Sequence, residues 1–305
     1  MAGLTKAQFV SEMTVLTEVS GTDIETSFLR YLNLAGRELW NARMWEERKK
    51  ETVFLTVAPY ATGTAAVSNG GTTVTFTGAT LVSGMAGRKF SLGLGGPFYR
   101  ITSVDVGLGT ALLARAFQET TVTASAFTIY QDEYDVATDV DVLRSVNMLH
   151  SRDRGSLRMT TEAEFDAASY MTSSMTIPMA WAPCVETTAG TARIRLWPIP
   201  DNVYAARVLY LKEWTDLSSD GDLQGLGANK DRLLLYAAVL LAQKIPGAQQ
   251  ATSEAEVAAL TERAWRDQQL QAPLVVIRDG FDRVVPAVVS THGAHAIGIV
   301  MDDVA

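Results

Sequence analysis

The residues able to do chemistry are few and scattered. There are three histidines. His292 and His295 flank Gly293 and Ala294 in a stretch without cysteine or a convincing third ligand, so they read as loop residues rather than a zinc pair. His150 stands beside Arg152 and Asp153 in a turn-like segment. An acidic run holds Asp132, Glu133, Asp135, Asp139 and Asp141, which would bind a cation if the carboxylates converged. The run lacks the glycine and the closing glutamate of an EF-hand loop. Asp220-Gly221-Asp222 reads as a turn. Gly225-Leu226-Gly227-Ala228-Asn229-Lys230 lacks the third glycine of a dinucleotide fingerprint, and Gly93-Leu94-Gly95-Gly96 falls between two strand patterns, where it suits a hairpin. No phosphate loop and no Gly-x-Ser-x-Gly elbow occurs. Cys184 has no histidine near it in sequence. The expectation is a protein that is not an enzyme, with no catalytic, cofactor-binding or metal residues.

The elements that would position such residues fall into contrasting blocks. Residues 64–130 are strand and turn. Thr73-Val74-Thr75-Phe76-Thr77, Phe98-Tyr99-Arg100-Ile101-Thr102-Ser103-Val104 and Ala126-Phe127-Thr128-Ile129-Tyr130 alternate with the period of a half-buried strand. Glycines punctuate them, which suits tight turns in a small antiparallel sandwich or barrel. Either side looks helical. Thr5 is a candidate cap for a first helix over residues 5–19, with Phe9, Met13 and Leu16 on one face. Thr22 and Glu25 form a capping-box pattern for a second helix of about 28 residues, striped by Phe28, Leu32, Ala35 and Leu39. Asn229 is placed to cap a helix whose centre, residues 233–242, is apolar almost all round and therefore buried. Ser253 and Glu256 suggest a further capping box. Thr161 with Glu164 suggests a short helix through Tyr170, and residues 192–197 and 204–212 read as a hairpin pair.

Composition bounds the function classes. A chain of 305 residues suggests about two domains, and 47% hydrophobic with 20% charged residues fits a folded chain. The longest apolar run, residues 233–242, is half of the roughly 20 residues a spanning helix needs, so no membrane partner is expected. The N-terminus lacks a signal-peptide pattern. One cysteine allows no intrachain disulfide, which agrees with folding in a reducing cytoplasm. A net charge of −8 argues against a general basic surface that grips DNA.

Several strand signatures recur together. Met85-Ala86-Gly87-Arg88-Lys89-Phe90 is followed by Tyr99-Arg100-Ile101-Thr102-Ser103-Val104, then Ala111-Leu112-Leu113-Ala114-Arg115, then Tyr130-Gln131-Asp132-Glu133-Tyr134. Further on come Arg195-Leu196-Trp197-Pro198-Ile199-Pro200-Asp201, Val208-Leu209-Tyr210 and the buried helix. In this order they resemble head-to-tail adaptor (connector) proteins of tailed bacteriophages. Those proteins continue with a Leu-Pro pair where this chain has Val136-Ala137. The resemblance implies an α+β fold: a helical bundle domain with an inserted small antiparallel β-sandwich or barrel domain and an extended C-terminal arm. Residues 1–57 and 131–273 would form the helical core with a β-hairpin, 58–130 the inserted β domain and 274–305 the arm. It also implies a structural virion protein of the head-tail neck, assembled in the host cytoplasm. Its partners would be the portal protein, a tail tube or nozzle protein, further copies in a twelvefold ring, and genomic DNA passing through the channel without sequence-specific binding.

The arm carries the candidate partner-binding residues: Val275, Val276, Ile277, Val284, Val285, Val288 and Val289. Pro273 ends the preceding helix pattern, and β-branched residues in an extended segment favour a strand edge or a groove on another subunit. Two other classes compete with this reading. One is a glycan- or host-binding virion protein using the β domain, which a concave aromatic patch would favour. The other is a cation-dependent hydrolase on the acidic run, which needs carboxylates converging in a pocket.

Overall fold

The computed structural model describes residues 3–93, 96–149, 155–164, 175–184, 190–223, 225–271, 276–278 and 284–286. The chain divides into two compact units, Lys49–Glu213 and Met1–Arg48 with Trp214–Ala305.

In the second of these, the described helices are α1 (Lys6–Thr17), α2 (Thr22–Ala42), α3 (Asp231–Ala242) and α4 (Glu254–Gln271). Thr5 caps α1 in a full capping box with Gln8. The expected Thr22–Glu25 box does not form. Gly21, at a φ of 139° that favours glycine, is the cap, and Thr22 is already inside the helix. Nor does α2 reach 28 residues, because two side chains terminate it. Trp45 Nε1 donates to the Leu39 carbonyl at 2.7 Å and Arg48 Nη1 to the Trp40 carbonyl at 2.9 Å. Last-turn carbonyls have no partner within a helix, so this capping lets the chain turn away at Arg43. Asn229 does not cap α3 either: Ala228–Lys230 is a 3-10 turn, and Lys230 holds the cap position. Phe9, Met13, Phe28, Leu32, Leu39 and Trp45 pack with the buried side of α3, including Leu234 and Ala238. Leu241, expected in this core, is only half-buried at its margin.

The Lys49–Glu213 unit is built from β1 (Lys49–Leu55), β2 (Thr64–Val67), β3 (Thr73–Thr77), β4 (Lys89–Ser91), β5 (Tyr99–Asp105), β6 (Thr110–Leu113), β7 (Val122–Ser125), β8 (Thr128–Tyr130), β9 (Glu133–Asp135), β10 (Val140–Met148), β11 (Arg158–Met159), β12 (Ala180–Cys184), β13 (Arg193–Trp197) and β14 (Ala205–Lys212). Seven strands form one sheet in the order β7-β2-β3-β6-β5-β4-β8. Its two edges, β7 and β8, are separated in the chain by only Ala126 and Phe127, so the sheet curls back towards itself. Phe76, Phe90, Tyr99, Phe117, Phe127 and Ile129 fill its inside. Tyr60 and Ile129 exchange backbone hydrogen bonds, each 2.8 Å, so the chain enters and leaves this sheet at one point.

The remaining strands form a three-stranded sheet, β1-β14-β10, and a four-stranded sheet, β11-β12-β13-β9. Val146, Met148, Ala206 and Val208 from the first share a core with Tyr134, Trp181, Ile194 and Leu196 from the second. Two sheets enclosing one core make a sandwich. The expected hairpin of residues 192–197 and 204–212 therefore does not exist. β13 pairs with β12 and β9, whereas β14 pairs with β1 and β10. Pro198 and Pro200 lack the N–H a ladder needs, and the turn they punctuate carries the chain from one sheet to the other. Residues around Pro183 also form a strand. Pro183 pairs only with Ile194, because β11 reaches no further than Trp181.

These strands overturn the expected fold class. The protein is mainly β, with a seven-stranded curled sheet and further sheets, and is not a helical bundle carrying a small β insertion. Val276–Arg278 (β15) and Val284–Pro286 (β16) pair antiparallel. Among the described residues no helix is long and apolar enough to cross a membrane.

Candidate functional site

The acidic run does converge with other charged residues, but on cations rather than on an open pocket. Arg193 and Arg195 alternate with apolar residues along β13, and opposite them on β9 Glu133 and Asp135 alternate with Tyr134. The two strands thus present opposite charges at the same period. Lys89 comes from β4 of the seven-stranded sheet, where it pairs with Arg100 of β5 and Tyr130 of β8. Its ammonium lies 2.9 Å from Asp132 Oδ2 and 2.8 Å from Glu133 Oε1. Arg195 Nε also donates to Asp132 Oδ2, at 2.9 Å. Arg100 and Arg193 hold the other Glu133 oxygen, and Arg193 Nε donates to Asp135 Oδ1 at 2.7 Å. The Lys89 and Asp132 side chains are 4% and 5% exposed, so this pairing is shielded from water and from salt.

Burial alone would raise the Glu133 carboxyl, but Lys89 and then Arg100 outweigh it and hold the group below its ordinary value. The Tyr134 hydroxyl is pushed up to about 12, mainly by burial. It donates to the Gln131 carbonyl and accepts from the Val57 N–H, at 2.8 and 3.2 Å. Asp139 accepts from the Tyr210 hydroxyl at 2.9 Å, away from the cluster's strands. Each of these carboxylates meets at least one donor, although the buried Oδ1 of Asp132 has none. Among the described residues no group of three or more His, Cys, Asp and Glu could hold a metal ion. The chemistry available here is attachment: the cluster ties the curled sheet to the sandwich.

Sequence reading singled out the acids of this cluster and missed Lys89, Arg100, Arg193 and Arg195. The signal was present in the matched alternation of Arg-Ile-Arg and Glu-Tyr-Asp. Lys89 gave none, because all three residues of its strand are buried.

The other candidates have plain structural settings. Cys184 ends β12, and burial, followed by Glu133, pushes its thiol up to about 12, away from nucleophilic use at neutral pH. Asp222 accepts from the N–H groups of Ser218 and Ser219, as a turn aspartate does. Lys230 is buried against Glu47 and lies 5.3 Å from the Trp45 ring centre. Thr161 and Glu164 exchange capping hydrogen bonds, and the rest of the helix expected through Tyr170 lies outside the described residues. His150, His292 and His295 also lie outside them. Of the arm residues, Val276 and Ile277 are in β15, and Val284 and Val285 in β16, with Ile277 opposite Val285. Val275, Val288 and Val289 lie outside the described residues.

A search of curated proteins finds no match to this chain. The model of a protein family, SU10 adaptor protein, matches residues 106–278. That span runs from the turn before β6, through β9 to β14, to the last residue of β15. It takes in the acidic half of the charge cluster, both arginines of β13, and helices α3 and α4. With more than half of its length matched, this chain belongs to the SU10 adaptor protein family, a phage adaptor-type family of structural virion components.

Proposed function

We propose that the protein is a head-to-tail adaptor that forms a ring between the portal and a tail tube or nozzle protein, with genomic DNA passing through the centre. The observation that supports this most is the family match over residues 106–278, which takes in the strand signatures from Ala111 onwards that resemble connector proteins. A ring follows from heterologous contacts whose rotation closes, and twelve copies would match a twelvefold portal. A net charge of −8 suits a channel along which DNA slides without being gripped. No catalytic step is assigned to any residue. The lone Cys184 is compatible with assembly in a reducing host cytoplasm.

Residues 58–130 are proposed as a module that the ring carries, and residues 274–305 as an arm that docks on the portal or on a neighbouring copy. The test is negative-stain imaging of the purified protein alone and with portal. Rings seated on portal are expected. Single particles that leave portal bare at every protein concentration overturn the reading.

A further inference from the structure

Strand β1 is an open edge. It pairs with β14 along its whole length and, among the described residues, with no other strand. The hydrogen-bond phase of that pairing shows which residues face outwards. Thr56 N–H donates to the Tyr204 carbonyl at 2.8 Å. In an antiparallel ladder, alternate residues bond to the same neighbour, so Phe54, Thr52 and Lys50 face β14. Glu51, Val53 and Leu55 then aim their N–H and C=O groups at the open side. Consistently, Ala205, the partner of Leu55, gives its carbonyl to Leu149 on its other flank. The side chains of these outward residues are also uncovered: Val53 is 55% and Leu55 62% exposed. Edge strands are ordinarily blunted by charge, proline or a bulge. Here Lys49 and Lys50 guard the first end, and the Val53-Phe54-Leu55 end has no such device.

The chain contains a segment of matching length and sign. Beyond β16 lie 19 residues, which include Ile297-Gly298-Ile299-Val300-Met301-Asp302-Asp303. Laid antiparallel to β1, Asp303 and Asp302 fall opposite Lys49 and Lys50. In that register Met301, Ile299 and Ile297 fall opposite Glu51, Val53 and Leu55, on the exposed face. Gly298 falls opposite Phe54, whose ring is stacked on Tyr134 at 4.9 Å. A shift by one residue would lose one of the two charge pairs and turn the isoleucines to the other face.

We propose that residues 297–303 of one copy add as a strand to the β1 edge of a second copy. The inference rests on the proposed ring, since it names a contact that joins neighbouring copies. The pairing would supply partners for the edge groups of Glu51, Val53 and Leu55 and cover the exposed valine and leucine.

The test is disulfide trapping between full-length chains carrying Cys184→Ser. One protein carries Val53→Cys and the other Ile299→Cys. Opposed residues of an antiparallel pair lie about 5.5 Å apart at Cα, within disulfide range. Mixing the two under mild oxidation should give a dimer containing one copy of each. A Lys50→Cys protein mixed with Ile299→Cys should give at least about tenfold less, because the two side chains would be offset and on opposite faces. No mixed dimer, or equal trapping at Lys50, overturns the proposal. So does a double variant, Val53→Cys with Ile299→Cys, that closes only within single chains. Imaging with portal separates the two levels. Rings on portal without the cross-link sink this contact alone, whereas single particles with bare portal sink the adaptor reading.

Discussion

At the scale of single residues, the cluster around Lys89 carries the most testable energetics. A buried cation with two carboxylate partners cannot be removed without leaving charge behind. Lys89→Met should cost about 3 kcal/mol or more in chemical denaturation, since breaking a buried pair costs more than the pair itself contributes. A loss under about 0.5 kcal/mol, the size of a surface change, would show that water reaches the site. The cluster also fixes a pH dependence. The folded Glu133 carboxyl sits below its ordinary 4.5, so the unfolded chain binds its proton first as pH falls. The stabilisation is full above the ordinary value and is lost as pH drops through the folded one. Denaturation midpoints measured from about pH 6 to about pH 3 should fall less steeply in Glu133→Gln than in the parent. Identical slopes would contradict the assigned cause. Cys184 offers a third check: with its thiol near 12, alkylation near pH 8 should be about a thousandfold slower in the folded protein than after unfolding.

At the scale of elements, the helices were largely legible and their ends were not. The stripe Phe28, Leu32, Ala35, Leu39 placed the buried face of α2 correctly, because a period of 3.6 survives in any packing. The stop at Ala42 depends on Trp45 and Arg48 folding back on the Leu39 and Trp40 carbonyls, which local pattern does not announce. The face of α3 was ambiguous for the opposite reason: apolar residues all round leave no contrast to read. Its inner side holds Leu234, so Leu234→Ala should cost about 2–5 kcal/mol, and the half-buried Leu241 less. The reverse order would place the helix the other way round. Gly36 in α2 illustrates a second hidden constraint. A Cβ there would overlap the Trp214 ring, so Gly36→Ala should lower the melting temperature although alanine favours helix. Among the strands, alternation identified residues 64–130, while β9 and β12 escaped. β9 is three residues of mostly charged sequence, and β12 contains a proline. Partner choice was the deeper failure: β13 and β14 each look like half of a hairpin, and only the shared core of Val146, Trp181, Ile194 and Val208 decides otherwise. Because Tyr60 and Ile129 meet at one bridge, replacing residues 60–129 by a short Gly/Ser linker should leave a cooperative melt. A remainder without a cooperative transition would deny that the module is separable.

At the scale of the whole molecule, the strands of residues 131–213 change the picture from a helical protein with an insertion to a mainly β chain with a separate helical unit. The adaptor resemblance survives this change because it rests on strand and turn signatures, of which those from Ala111 onwards lie inside the family match. Function was legible only through those signatures. No residue type or spacing announces an adaptor, since its work is done by surfaces and not by a reacting group. Assembly is therefore the property to measure. The most direct measurement is the mass of the purified full-length chain in solution, alone and with portal. The account predicts a closed species near twelve copies of the 33.0 kDa chain, about 400 kDa, formed alone or on portal. A mass that stays at one chain in both conditions, at all concentrations, would contradict it.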